Sequence, residues 1–112
     1  MALEVREQDA GAEIAFWTLL GFEEVAPPEG LRGTARWLQR HGTQVHLLFA
    51  EDPVIPPQGH VAVVAGAFAE TCARLAAVGR LPELHREHWG APRAFVWSPA
   101  GHRVELMAAP PA

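Results

Sequence analysis

The chain repeats itself once, and that repeat constrains its fold more than any other feature. Ile14, Trp17, Leu20 and Gly21 recur 58 residues later as Cys72, Leu75, Val78 and Gly79. Each quartet reads as an apolar helix stripe closed by a glycine: side chains three or four apart share a helix face, and glycine supplies the left-handed residue that ends a helix. Ahead of the first quartet, Leu3 and Val5 alternate with charged residues as a short strand, and Asp9 stands where a side chain can cap the helix. Ahead of the second, residues 61–65 read as a more buried strand, and Phe68 joins the stripe. After each helix the apolar period falls from about 3.6 to about 2, as expected where strands replace helix.

Three strands follow each helix: residues 22–26, 35–39 and 44–49 in the first half, and 83–87, 94–97 and 103–107 in the second. Pro27-Pro28 breaks one connection, His41-Gly42 turns the next, and Ser98-Pro99-Ala100-Gly101 makes the last turn. The order βαβββ therefore occurs twice. Pro53, Pro56 and Pro57 mark a linker, which gives module one as residues 1–51, the linker as 52–58 and module two as 59–109. The tail Pro110-Pro111-Ala112 is expected to fray. Each unit has one apolar helix face and one curved sheet, and buries them by pairing, within the chain or between chains. The expected fold is α+β, two βαβββ modules forming a curved mixed sheet around a cup-shaped cleft.

Composition removes several function classes. With 112 residues, 49% hydrophobic and 20% charged, the chain is one ordinary domain with enough core to fold. Its nine basic residues are all arginine, the net charge is −4 and no basic run occurs, so nucleic acid is not an expected partner. The start Met1-Ala2-Leu3-Glu4-Val5-Arg6-Glu7 lacks a secretory pattern, and the single Cys72 cannot form an intramolecular disulfide, so a reducing cytoplasm is the expected compartment. The longest apolar run, residues 61–69 with Gly66 inside it, falls short of the ~20 residues that span a bilayer, so no membrane is expected either. Phosphate-loop, serine-elbow and CxxC motifs are absent.

Candidate chemistry sits on the repeated strands. Val45-His46-Leu47 and Val104-Glu105-Leu106 correspond at an offset of 59, which puts a histidine and a carboxylate at equivalent inward-facing places. His60 opens the first strand of module two, with Ala62 and Val64 on the same face. Two imidazoles and a carboxylate converging in a cup offer ligands that Mn, Fe, Co, Ni or Zn accept. The alternatives are a hydrogen-bonded core histidine at 46 and an internal ion pair of Glu105 with Arg103 or Arg93. Trp37, Trp89 and Trp97 are candidates to line the cup, and Arg36 and Arg93 to hold an anionic substrate. Trp17 reads as core and Cys72 as helix packing. His41 and His102 sit in turns and are expected to be solvated, and His85 and His88 to lie on an exposed edge strand.

Three stretches, in their order and spacing, resemble the vicinal oxygen chelate superfamily, the group of glyoxalases, fosfomycin- and bleomycin-resistance proteins and extradiol dioxygenases. They are Ala15-Phe16-Trp17-Thr18-Leu19-Leu20-Gly21-Phe22; Gly59-His60-Val61-Ala62-Val63-Val64; and Ser98-Pro99-Ala100-Gly101-His102-Arg103-Val104-Glu105-Leu106, similar to a terminal DPxGxxxEL hairpin. The resemblance implies a glyoxalase-like fold with His60 and Glu105 at metal-ligand positions and His46 at a place that is Glu in many glyoxalases. It also implies a first ligand that would fall at Met1 or one residue before it, where this chain has none. Either a histidine precedes the chain as given, or three groups suffice, or no metal binds.

Two functions follow as expectations. The first is a metal-dependent enzyme acting on a small oxygenated molecule, of the lyase or isomerase, thiol transferase or dioxygenase kind. It would hold a divalent transition metal on His60, Glu105 and His46, with Glu105 as the catalytic proton carrier. The second is a metal-free protein that sequesters a drug or metabolite in an aromatic cleft, as bleomycin-resistance members do. A homodimer is expected, because the family often completes its cups across chains and small sheets need edge cover.

Overall fold

The computed structural model describes residues 1–111; Ala112, in the tail expected to fray, lies outside the described residues. The chain divides into two compact units, Met1–Ile55 and Pro56–Ala112. Unit one runs β1 (Ala2–Val5), α1 (Ala10–Leu19), β2 (Glu23–Val25), β3 (Ala35–Arg40) and β4 (Thr43–Phe49). Unit two runs β5 (Val61–Val64), α2 (Phe68–Ala77), β6 (Glu83–His85), β7 (Arg93–Trp97) and β8 (Arg103–Met107). Each unit is thus βαβββ, and each forms a four-stranded mixed sheet, ordered β1-β4-β3-β2 and β5-β8-β7-β6. No helix is long and apolar enough to cross a membrane among the described residues.

The two sheets share a plan. The first strand pairs in parallel with the last, Ala2 facing His46 and Ala62 facing Glu105. The remaining neighbours are antiparallel. Alternation then sorts the side chains. In unit one, Val5, Leu38, Val45 and Leu47 are fully buried, and α1 lies against β2 and β3. The opposite face of β3 and β4 carries Trp37, Gln39, Gln44 and His46. In unit two, Ala94, Val96, Val104 and Leu106 are the buried set, and the opposite face carries Arg93, Phe95, Trp97, Arg103 and Glu105.

The helix stripes depart from the sequence expectation in instructive ways. In α1, Trp17 and Leu20 are buried as expected, but Ile14 is only half-buried and the stripe is completed by Ala10, Glu13 and Phe16. Trp17 meets Phe16 and Phe22 edge to face, at 5.5 and 5.2 Å between ring centres. Glu13, fully buried, accepts the Trp17 indole N–H at 3.0 Å one turn away, so the large aromatic brings its polar partner inside with it. Asp9 occupies the N-cap position yet makes no side-chain cap, because a 3-10 turn over Glu7–Asp9 feeds the chain directly into the helix. In α2, Leu75 is buried and Thr71 replaces the expected partners, whereas Phe68 and Cys72 are half-buried and Val78 is exposed. A second 3-10 turn, Glu29–Leu31, lies beyond the Pro27-Pro28 break.

Both helices end as the repeat requires. Gly21 and Gly79 have φ of +90° and +81°, a left-handed conformation that costs an L side chain strain. At Gly21 the N–H of Phe22 returns to the Trp17 carbonyl at 3.1 Å, satisfying a last-turn acceptor. An added Cβ there would also meet Arg40 Cδ at 3.3 Å, while one at Gly11 meets nothing within 4 Å. Gly21→Ala should therefore lower unfolding free energy by about 1–2 kcal/mol. Gly11→Ala, inside α1, should raise it by about 0.5–1 kcal/mol. Urea unfolding of the two variants beside the parent checks both signs.

Candidate functional site

The chemistry of unit two gathers on the polar face of its sheet. The β5–β8 register sets Ala62 opposite Glu105, so His60, two residues earlier on the same face, reaches the carboxylate. His60 Nε2 lies 3.0 Å from Glu105 Oε1, and Arg93 Nε donates to Glu105 Oε2 at 2.8 Å. The other His60 nitrogen, Nδ1, is 2.9 Å from the Gln58 carbonyl, which only accepts, so Nδ1 carries its proton. The Arg93 bond is one of the ion pairs weighed for Glu105 in the sequence; the other, with Arg103, is not made. Arg93 also donates to the Arg86 carbonyl at 3.0 Å.

Burial by itself would raise the Glu105 pKa, but hydrogen bonds from Arg93 and then His60, with their charges, outweigh it and hold the carboxyl below the ordinary range. Phe95 underlies the cluster: His60 and His85 meet its ring edge to face at 5.1 and 4.6 Å, and Arg93 lies 5.1 Å over its centre. His85 stands on the edge strand as expected, half-buried, 3.9 Å from Glu83. His88 is exposed beyond it.

Unit one presents a different surface at the equivalent strand. Trp37 and His46 are register partners, and their rings stack at 3.8 Å with planes 4° apart. His46 Nε2 lies 2.9 Å from Gln44 Oε1. Burial, and then the Met1 ammonium, lower the His46 pKa, which keeps the imidazole neutral at pH 7. The Trp37 indole nitrogen is buried without a hydrogen-bond partner among the described residues.

The remaining candidates fall in several places. Arg36 is on the helix side of β3, next to Leu38 in alternation and across from Leu47. There it is clamped to Glu24 by two bonds of 2.8 and 2.9 Å, which separates it from Trp37 and His46. Trp89 donates its indole N–H to the Ala109 carbonyl at 2.9 Å. Trp97 is 49% exposed and lies on the Glu105 face. His41 is exposed, with φ of 54°, in its turn. His102, expected to be solvated, is 3% exposed: the Ser98–Gly101 turn folds back so that the His102 amide donates to Ser98 Oγ and its carbonyl accepts from the Ser98 amide. A separate cavity of about 350 Å³ is lined by Arg6, Glu7, Gln8, Phe49, Ala50 and Glu51 and contains none of the candidate residues.

A divalent metal is a natural test of the His60–Glu105 pair. Two donors on one cation at a right angle, each about 2.1 Å from it, are about 3 Å apart. The observed 3.0 Å matches that span. Gln58 fixes the His60 tautomer that leaves Nε2 free to coordinate, the usual task of a partner behind a metal ligand. Arg93 occupies only the other carboxylate oxygen. Among the described residues, no group of three or more His, Cys, Asp or Glu side chains comes together as a metal site. The fit in unit two is that of two donors.

Two residues that strand alternation already made legible went unnamed in the sequence reading as parts of this face. Arg103 and Phe95 alternate with buried residues in step with Glu105. Gln58 and Gln44, which orient the histidines, left no signal, since each acts through a bond that only the folded loop or hairpin creates.

No family model matches the chain, and no curated protein matches it. Solved structures do. One assigned to the glyoxalase family, from Bacillus anthracis, superposes with a TM-score of 0.83 at 19% identity, covering 95% of this chain and 88% of that one. Lactoylglutathione lyase from Agrobacterium tumefaciens gives 0.72 at 23% identity, covering 96% and 89%. A variant of the fosfomycin resistance protein FosX from Listeria monocytogenes, solved with Mn(II) and 1S,2S-dihydroxypropylphosphonic acid, gives 0.75 at 17% identity, covering 98% and 90%.

In metal-free protein, Glu105→Gln should lower stability at pH 7 by about 1–3 kcal/mol, because Arg93 loses a charged acceptor. A depressed carboxylate pKa stabilises above the unfolded value and ceases to as pH falls through the folded value. The gap between parent and variant should therefore be full at neutral pH and close only below the ordinary carboxylate range. Chemical unfolding across pH 3–7 checks the direction.

Proposed function

We propose that this chain, which has the glyoxalase-like fold of the vicinal oxygen chelate superfamily, is a metal-dependent enzyme acting on a small oxygenated molecule. The observation that carries the reading is the convergence of His60 Nε2 and Glu105 Oε1 at 3.0 Å with the far side of each group already held. An accidental ion pair has no need of that backing. The FosX neighbour, solved with Mn(II) and a ligand bearing two adjacent hydroxyls, supports the same direction. His60 and Glu105 would hold a divalent transition metal as its two donors from unit two.

The metal, when bound, supplies a Lewis acid for adjacent substrate oxygens. The protein's own contributions are specific. Gln58 and the Phe95 edge fix the His60 ring. Arg93 holds Glu105 Oε2, which leaves Oε1 turned toward His60. Trp97 offers an exposed aromatic surface beside them. This arrangement is compatible with lyase or isomerase, thiol transferase and dioxygenase chemistry. A cytoplasmic homodimer is the proposed working form.

A second reading has an observation of its own. Arg93 already pairs with Glu105 without a cation, and the Trp37–His46 stack is a flat surface suited to an aromatic ligand. On that reading the protein sequesters a small molecule without metal.

Elemental analysis of untagged protein, purified without chelator, distinguishes them. The expected result is near-stoichiometric transition metal in the parent, lost in His60→Ala, with substrate screening then directed to vicinal dicarbonyls, epoxides and catechols. No metal in either protein after reconstitution would leave sequestration as the function.

A further inference from the structure

Among the described residues, Arg103 is the one arginine on the polar face of unit two without an acceptor. Its guanidinium carbon sits 3.7 Å over the centre of the Phe95 ring and 5.8 Å from Trp97. Its Nε is buried and has no hydrogen-bond partner, and no carboxylate pairs with it among the described residues. On this face Arg93 and Glu105 neutralise one another. Glu83, the other carboxylate in register with Phe95, is 69% exposed and lies beside His85. One positive charge therefore remains, partly desolvated, two residues along the strand from Glu105.

Contact with an aromatic face holds a guanidinium in place but leaves its in-plane N–H groups unused. Leaving a buried donor unpaired is costly, and such a cost persists where a ligand relieves it. A planar guanidinium lying on a ring presents its N–H edge sideways, the geometry that pairs with a carboxylate through two parallel bonds.

We propose that Arg103 binds the carboxylate of the substrate, so that the molecule processed at Glu105 is a small carboxylic acid. This rests on the metalloenzyme reading only for the chemistry at Glu105; the anion site itself does not require metal. Phe95 is the shared platform. Its ring contacts both His60 and Arg103, at 5.1 and 3.7 Å from its centre.

The test uses full-length protein dialysed against chelator, titrated with lactate and with lactamide, its uncharged counterpart. Heat of binding and the Arg103 Nε–H resonance, identified by its loss in Arg103→Gln, are the readouts. The expected result is saturable lactate binding that moves this resonance, no such effect from lactamide, and binding weakened about tenfold or more in Arg103→Gln. Arg103→Lys, which keeps the charge and loses the fork, should also bind more weakly than the parent and guards against a folding defect in the glutamine variant. Equal binding of lactate and lactamide, unchanged affinity in either variant, or no lactate binding by the parent would overturn the proposal. Metal is absent throughout, so these outcomes stand apart from the His60→Ala metal analysis, whose failure would remove the metalloenzyme reading and leave the anion site to its own result.

Discussion

Each unit depends on a parallel pairing between its first strand and its last. Parallel neighbours cannot be joined by a hairpin, so the chain between them must leave the sheet and return, and here it does so through one helix and two antiparallel strands. The pairing also fixes the register, and in a strand register decides which face every side chain takes. With Ala62 opposite Glu105, the whole set Arg93, Phe95, Arg103 and Glu105 is committed to one face while Val96, Val104 and Leu106 fill the other. A slip by one residue would turn those three charged side chains, Arg93, Arg103 and Glu105, onto the apolar face.

That commitment carries an electrostatic cost, and the two units meet it differently. In unit two the carboxylate stays ionised because an arginine and an imidazole bracket it. In unit one the equivalent place holds His46, kept neutral by burial and stacked on Trp37 with no charge to compensate. The same backbone plan thus supports one charged and one uncharged surface. The helices show a parallel divergence. Glu13 is buried beneath the Trp17 indole, and at its counterpart 58 residues on stands Thr71, also buried, where no tryptophan follows.

Much of the fold was legible from periodicity. The two βαβββ units, the glycines that close both helices, and β8 at Arg103–Met107 follow from apolar spacing and from which residues tolerate positive φ. Two of the misreadings share a cause. Asp9 makes no cap because a 3-10 turn leads into the helix, and His102 is buried where the Ser98–Gly101 turn folds back, and spacing encodes neither turn. Strand alternation placed His46 and Glu105 at equivalent positions, and it could equally have placed Arg103. It could not say that Arg36, one residue from Trp37, would be spent on Glu24 across the sheet.

What the sequence by itself determined is therefore the plan: which segments are strands, where the helices stop, and which residue types share a face. Those are properties of local backbone preference and period. Only the tertiary structure decided which of those residues act together. That His60 reaches Glu105, that Arg93 takes the second carboxylate oxygen, and that Arg103 is left on Phe95 without an acceptor depend on strand register and on loops meeting strands 45 residues away in the chain. Hydrogen bonds at such separations are fixed by the folded backbone, and no local pattern in the sequence specifies them.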